Sequence, residues 1–424
     1  MEKLLDMVKE LSFVRVGGSD GERHAAELIQ REIDIAVTES NSAWIKTEWM
    51  PFAIPSASVE ESFVKVNGEE IPSAPYLRSG NIDRRCRLLY LNQATEIDFA
   101  GLGDLGDTAV LLNRIEEDGA YQRLIEHRAA AFLTWKGKYY FTREESSLYP
   151  KLLKEDFLRV GSVPGFEITA ADANRLIQDE VSHVDLKLEQ SDDERESRNV
   201  LAVIEGTDLK NEAIVLTAHY DSVPVGTGSW DNATGVVALL SIFGHFAANR
   251  PRRTLRFVWC GSEELGLLGS KAYVAQNEAL LDGIKFCFNF DMCGTALGGN
   301  DIFVTGEKEL ETFVDQYCKV ASYAAKKYCH IQSSDSAHFC DRGIPALGLS
   351  RGTMAAEIHT IHDLSPILNE SAIRKNVAFA VKIIGDVANA AVIPVKKGMS
   401  PEHRKELDKY FHKEEDPENA KEDL

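Results

Sequence analysis

Residues 212–248 read EAIVLTAHYDSVPVGTGSWDNATGVVALLSIFGHFAA. The opening run is apolar and short, which suits a strand buried on both faces. It ends in His219 and Asp221, passes through a segment rich in glycine and serine, and reaches Asp231 at the head of DNATG. Thr234–Ala248 then reads as a helix. Strand, loop and helix in that order form one half of a βαβ unit, with polar residues at the carboxyl end of the strand.

The same texture recurs on either side. NVLAVIEG (199–206), TLRFVWCGSEE (254–264), IKFCFNFD (284–291) and IPALGL (344–349) are further short apolar runs, and Leu310–Lys327 is a further helical stretch. Strands alternating with helices predict an α/β domain with a mixed, mostly parallel central sheet flanked by helices. Upstream, GSDGERHAAELIQREIDIAV (18–37) has apolar residues at helical spacing and predicts a helix entered through Ser19 or Asp20. Between them the pattern changes. Short β-prone runs such as SFVKV (62–66), CRLLYL (86–91) and TAVLLN (108–113) alternate with turn residues and one helical segment near 115–130. This stretch carries no dense group of histidines and carboxylates. The expectation is a catalytic domain from 1–56 and 189–395, an inserted β-rich α+β accessory domain at 57–188, and a charged C-terminal tail at 396–424 that frays from a helix into disorder.

Composition narrows the classes. With 44% hydrophobic and 27% charged residues the 424-residue chain is ordinary for a globular protein of two domains. Its 47 basic and 67 acidic residues leave a formal charge of −20, which repels nucleic acid and anionic lipid. No run of 18 apolar residues is present, so no membrane span is expected, and the first residues lack the apolar stretch of a secretory signal. The seven cysteines form no CxxC pair and read as reduced thiols, which points to a cytoplasmic protein. Cys260, Cys293 and Cys340 lie near the polar strand ends but beside no evident base, and read as apolar filler.

Chemistry enters where the apolar runs stop. His219 and Asp221, Asp231, the pair Glu263–Glu264, Asp291 and His359 each stand at the end of a strand or in a loop, on what would be one rim of the sheet. Singly, each has a plain explanation: a turn-forming aspartate, Asp231 as a helix cap, a solvated glutamate pair, a hydrogen-bonded histidine. Together they have no packing rationale. Their nitrogen and oxygen donors suit zinc, or cobalt or manganese.

The motifs HYDS (219–222), WDNATGV (230–236), GSEELGLLGS (261–270), NFDMCG (289–294), SDSAHF (334–339) with GIPAL (343–347), and HTIHD (359–363) resemble, in order, those of the M28 metallopeptidases, the di-zinc aminopeptidases. The resemblance implies two divalent metal ions, zinc in type. Asp231 then bridges them, His219 and Asp291 complete one site, and Glu264 and His359 the other. Glu263 matches the general base and Asp221 the carboxylate that orients His219. The implied reaction is hydrolysis of the amino-terminal peptide bond of a peptide substrate. SDSAHF departs from the family order, with His338 three residues after Asp335, which leaves His338 without a clear role. The spacing to Asp363 favours His359 over His362 as ligand. Within the insertion, TAVLLN, HRAAAFLTW and VPGFEITAADANRLI (163–177) are similar to the protease-associated domain.

Three other readings share this fold: a single-zinc glutaminyl cyclase, a carboxypeptidase acting on acidic dipeptide-like substrates with an arginine such as Arg351 on the substrate carboxylate, and a metal-free binding protein. All the ligand-type positions are filled, which favours the aminopeptidase. Neither a nucleic-acid nor a membrane partner is expected, and assembly into a homo-oligomer is left open.

Overall fold

A computed structural model describes residues 4–116, 119–352, 358–411 and 413. The chain divides into two compact units, Met1–Phe52 with Glu196–Leu424, and Ala53–Arg195. It leaves the first unit within the long strand Ile45–Val66 and returns within the strand His183–Ile204.

The first unit is built on a mixed sheet. Its four central strands, Ala346–Gly352, Ile284–Phe290, Leu209–His219 and Arg253–Cys260, lie in that order and run parallel. Antiparallel strands flank them: Gly299–Thr305 beyond the first and residues 200–204 beyond the last. The short strand Lys326–Tyr328 pairs in parallel with Gly299–Thr305 at the edge. Because both faces are covered, the central strands are apolar along their whole length instead of alternating. The helices Asp20–Ser40, Thr234–Ala248 and Glu370–Asn389 bury Ile29, Ile33, Val237, Phe243, Ile383 and Ile384 in one core with Leu216, Phe257 and Phe288 of the sheet. On the other face Val215, Val258, Cys287 and Cys340 pack with Tyr273, Phe339 and Leu407.

Leu407 belongs to the stretch that composition reads as a frayed helix running into a disordered tail. Residues Pro401–Tyr410 form a helix that is docked and not frayed, capped by Ser400, whose side chain accepts a hydrogen bond from the His403 amide. His403 and Leu407 fall one turn apart and are buried. Asp341 pairs with Arg404 at 2.7 Å, and Glu406 accepts a hydrogen bond from the Ile331 amide. The remainder of the tail, 414–424, lies outside the described residues.

In the second unit the strands Ile82–Tyr90, Thr108–Leu111, Ala131–Lys136 and Gly165–Thr169 lie parallel and in that order. The strand Ser73–Leu77 closes one side in antiparallel register and residues 183–188 the other. Leu111, Leu133 and Ile168 face one core and Val110, Leu124 and Phe132 another. Among the described residues no helix is long and apolar enough to cross a membrane.

Candidate metal centre

His219, Asp221, Asp231, Glu263, Glu264, Asp291 and His359 sit at the carboxyl ends of the parallel strands or in the segments that follow. Register explains part of this. Thr217 pairs with Asn289, so two residues farther along their chains His219 and Asp291 emerge side by side. His219 also pairs with Cys260, which puts Glu263 and Glu264 in the next loop of the same rim.

Asp231 stands at the centre. It lies in the turn Ser229–Ala233, just before the helix Thr234–Ala248, and its φ and ψ are not helical. Its carboxylate does not bond the first turn of that helix; the neighbouring Asn232 Oδ1 instead accepts from the Gly235 amide at 2.9 Å and from the Met292 amide at 3.0 Å. A Cβ on Gly235 would lie 2.3 Å from Asn232 Oδ1 and from the Phe290 carbonyl, so only glycine permits this approach of helix to strand end. Thus freed, Asp231 Oδ1 faces His219 Nε2 at 3.2 Å and Oδ2 faces His359 Nε2 at 3.2 Å. Each imidazole meets a second carboxylate at the same nitrogen: Asp291 at 3.4 Å from His219, Glu264 at 2.9 Å from His359. Glu263 completes a group with His219 and Asp291 in which one ligand atom from each lies within 4.8 Å of the others.

The electrostatics of this cluster call for a cation. Burial alone would lower the pKa of both imidazoles, yet Glu263 and the surrounding aspartates hold His219 well above its ordinary range, and Glu264 with Asp231 raises His359 to about 11. Burial raises Glu263 well above the usual carboxylate range, helped by Glu264, Asp335 and Asp291 against His219. Burial likewise lifts Glu264 to about 7. Glu264 Oε1 and Asp291 Oδ1 are buried without a hydrogen-bond partner. Orphaned oxygens of this kind are rare unless an ion takes them up. The donor set of two imidazoles and several carboxylates fits divalent metal.

Two further carboxylates hold the ligands without joining them. Asp221 accepts hydrogen bonds from the backbone amides of Glu263 at 2.9 Å and Glu264 at 3.0 Å, and lies 3.5 Å from His219 Nδ1. Asp363 does the same for Trp230 at 2.7 Å and Asp231 at 3.0 Å. The sequence marks Asp363 only as a spacing signal for His359, and its place in the same loop is the hint to its use.

The doubtful positions separate cleanly. His359 reaches the cluster, whereas His362 is exposed. His338 packs on Phe411 with ring centroids 4.8 Å apart, and burial lowers its pKa to about 4. Arg351, in the strand Ala346–Gly352, donates to the Thr295 and Ala296 carbonyls and to Asn300, so its guanidinium is tied to the segment 295–300. Cys260, Cys293 and Cys340 are buried free thiols. Sequence reading assigns no role to three buried charged groups. Asp335, read in SDSAHF only as the reference for His338, is fully buried near His219, Asp221 and Asp291. Arg15 donates to a ring of backbone carbonyls. Glu22 accepts from Gly18, Ser197 and Ser262. A lone arginine in the apolar stretch FVRV is the signal that could have found Arg15; Glu22 sits in an ordinary-looking first helical turn and gives none.

Comparison with known proteins agrees with this geometry. Residues 199–384 match the family model described as peptidase family M28. The vacuolar membrane proteases of Saccharomyces cerevisiae strain YJM789 and Candida dubliniensis are 39% and 40% identical over 107 and 112 residues, about a quarter of this chain. Those stretches cover only 11% and 12% of the two relatives. Among solved structures, an aminopeptidase from Aneurinibacillus sp. strain AM-1 aligns over 93% of this chain and 95% of its own, with a TM-score of 0.73 at 21% identity. BSAP, a zinc aminopeptidase from Bacillus subtilis, aligns over 95% and 98%, with a TM-score of 0.74 at 19% identity. At these identities the structures establish a shared fold. Residues 199–384, the stretch that matches the peptidase family M28 model, hold the whole His219–Asp221–Asp231–Glu263–Glu264–Asp291–His359 cluster.

Proposed function

We propose that this chain is a metallo-aminopeptidase that binds two zinc ions and hydrolyses the amino-terminal peptide bond of peptides. One observation carries the reading. The two oxygens of Asp231 address two different imidazoles, and each imidazole nitrogen has a second carboxylate of its own. Two ligand sets sharing one carboxylate fit a two-metal centre, in which His219, Asp231 and Asp291 would hold one ion and Asp231, Glu264 and His359 the other.

When bound, such a pair supplies Lewis acidity and a water whose pKa falls toward about 7. The protein's own groups do the rest. Glu263 borders the His219 and Asp291 ligands, and the raised affinity of its carboxylate for protons suits it to take one from the water and pass it to the leaving amine. Asp221 fixes the backbone of Glu263 and Glu264 and the orientation of His219 in one contact. The preference for a free amino terminus rests on the family resemblance and on the two structural relatives titled aminopeptidases. Residues 57–188 are assigned to a protease-associated accessory domain on motif resemblance alone.

The reading is tested with amino-acid p-nitroanilides beside their N-blocked counterparts. Release from the free-amine substrates only, lost on chelation and restored by zinc, is expected. Cyclisation of amino-terminal glutamine would favour the cyclase instead, and equal cleavage of blocked substrates would exclude an aminopeptidase.

A further inference from the structure

Arg15 is fully buried and lies outside the ligand set. Its Nε donates to the Tyr220 carbonyl at 2.7 Å, Nη1 to Thr227 at 2.9 Å and Phe13 at 2.8 Å and also to Leu11, and Nη2 to Gly228 at 2.9 Å. Its backbone exchanges hydrogen bonds with Ser222: the Arg15 amide donates to Ser222 Oγ and the Ser222 amide to the Arg15 carbonyl. Beyond its own segment, where Leu11 and Phe13 accept, these contacts fall on two loops. Residues 220–222 carry Asp221, and residues 227–228 lead into Asp231. A Cβ on Gly228 would lie 2.8 Å from Arg15 Nη2, so the guanidinium is wedged against the chain that delivers the bridging carboxylate.

A buried cation is costly unless its donors are satisfied and opposite charge lies near. Here the donors all go to carbonyls, and the nearby charges are Asp221, Asp363, Asp231 and Glu264. Among the described residues no carboxylate pairs directly with Arg15, so its donors are committed to fixing backbone. A planar fork can span several carbonyls on separate loops, while an ammonium, a single point with three donors, cannot.

Resting on the two-metal reading above, we propose that Arg15 is a positioning residue of the metal centre: it sets the separation of the Asp221 and Asp231 loops, and through them the affinity for the ions. Mutation of groups that support metal ligands from behind typically weakens metal binding about 10–100-fold. Arg15→Lys keeps the charge and loses the fork, so the same range applies to it.

The test is zinc affinity of the full chain, measured by competition with a chromophoric chelator. Ile29→Val, a core change in the neighbouring helix, is the control for general loosening. The expected result is two ions in the wild type, unchanged affinity in Ile29→Val and a loss of at least about 10-fold in Arg15→Lys. Wild-type affinity in Arg15→Lys, or an equal loss in the control, overturns the positioning role and leaves the two-metal reading intact. No zinc bound by the wild type overturns both. Should Arg15→Lys not fold, Ser222→Ala removes the acceptor of the Arg15 amide; a several-fold loss is then expected, and an unchanged affinity refutes the role.

Discussion

Glu263 and Glu264 are neighbours in sequence with different tasks, and the backbone explains how. Asp221 grips both amides, which fixes the loop, and Glu264 meets His359 while Glu263 joins the His219 and Asp291 side. Glu263→Gln keeps size and hydrogen bonding but cannot carry the proton. It should retain metal and lose about 10²–10⁴-fold in kcat; metal content beside single-turnover rates checks this, and a variant with normal turnover would remove Glu263 from the mechanism. A second residue-scale consequence concerns Glu22. Burial, with the charge of Asp221, raises its pKa from 4.5 to about 7. A raised carboxylate favours the fold below its unfolded value, and that contribution is lost as pH rises through about 7. Metal-free protein should therefore lose roughly 2–3 kcal/mol through this group between pH 5 and 8. In Glu22→Gln the loss should be absent; denaturant midpoints of the two proteins that fall in parallel across the range would contradict it. Ligand-type residues were legible in the sequence because they interrupt apolar strands. Glu22 and Arg15 were not, because their partners, two serine hydroxyls and an amide for Glu22 and backbone carbonyls for Arg15, are distant in sequence or carry no side-chain signal.

Elements were legible in proportion to how strongly burial marks them. The central strands announce themselves as unbroken apolar runs because both of their faces are covered. The docking of the C-terminal helix Pro401–Tyr410 was not legible, since charged residues dominate its composition and hide a narrow stripe of His403 and Leu407. The serine cap and the proline at its first turn were the readable signals. This helix packs on the segment 331–341 that holds Asp335 behind the metal cluster, through Glu406, Arg404 and the Tyr410 contact with Ser333 at 2.8 Å. Leu407 is fully buried. Leu407→Ala should cost about 2–5 kcal/mol, read as a lowered denaturation midpoint. A change below about 0.5 kcal/mol, the range of ordinary surface substitutions, would mean the helix adds nothing to the fold.

At the scale of the molecule, the buried ligand-type acids Asp231, Glu264 and Asp291 gather at one rim of the sheet, where the parallel strands end. That placement follows from topology: along the strands the side chains face the buried cores, and polar side chains from separate strands converge at the carboxyl ends. The fold class could be read from the alternation of strand and helix, but the pairing order could not, because apolar runs of similar length carry no register of their own. The central claim is that Asp231 joins two metal sites. It is tested most directly by counting zinc in protein purified without chelator and dialysed, for the wild type and for Asp231→Ala. Two ions per chain in the wild type, and loss of both sites or a sharp weakening of both in the variant, are predicted. One ion per chain, or an Asp231→Ala variant that still holds two tightly, would contradict it.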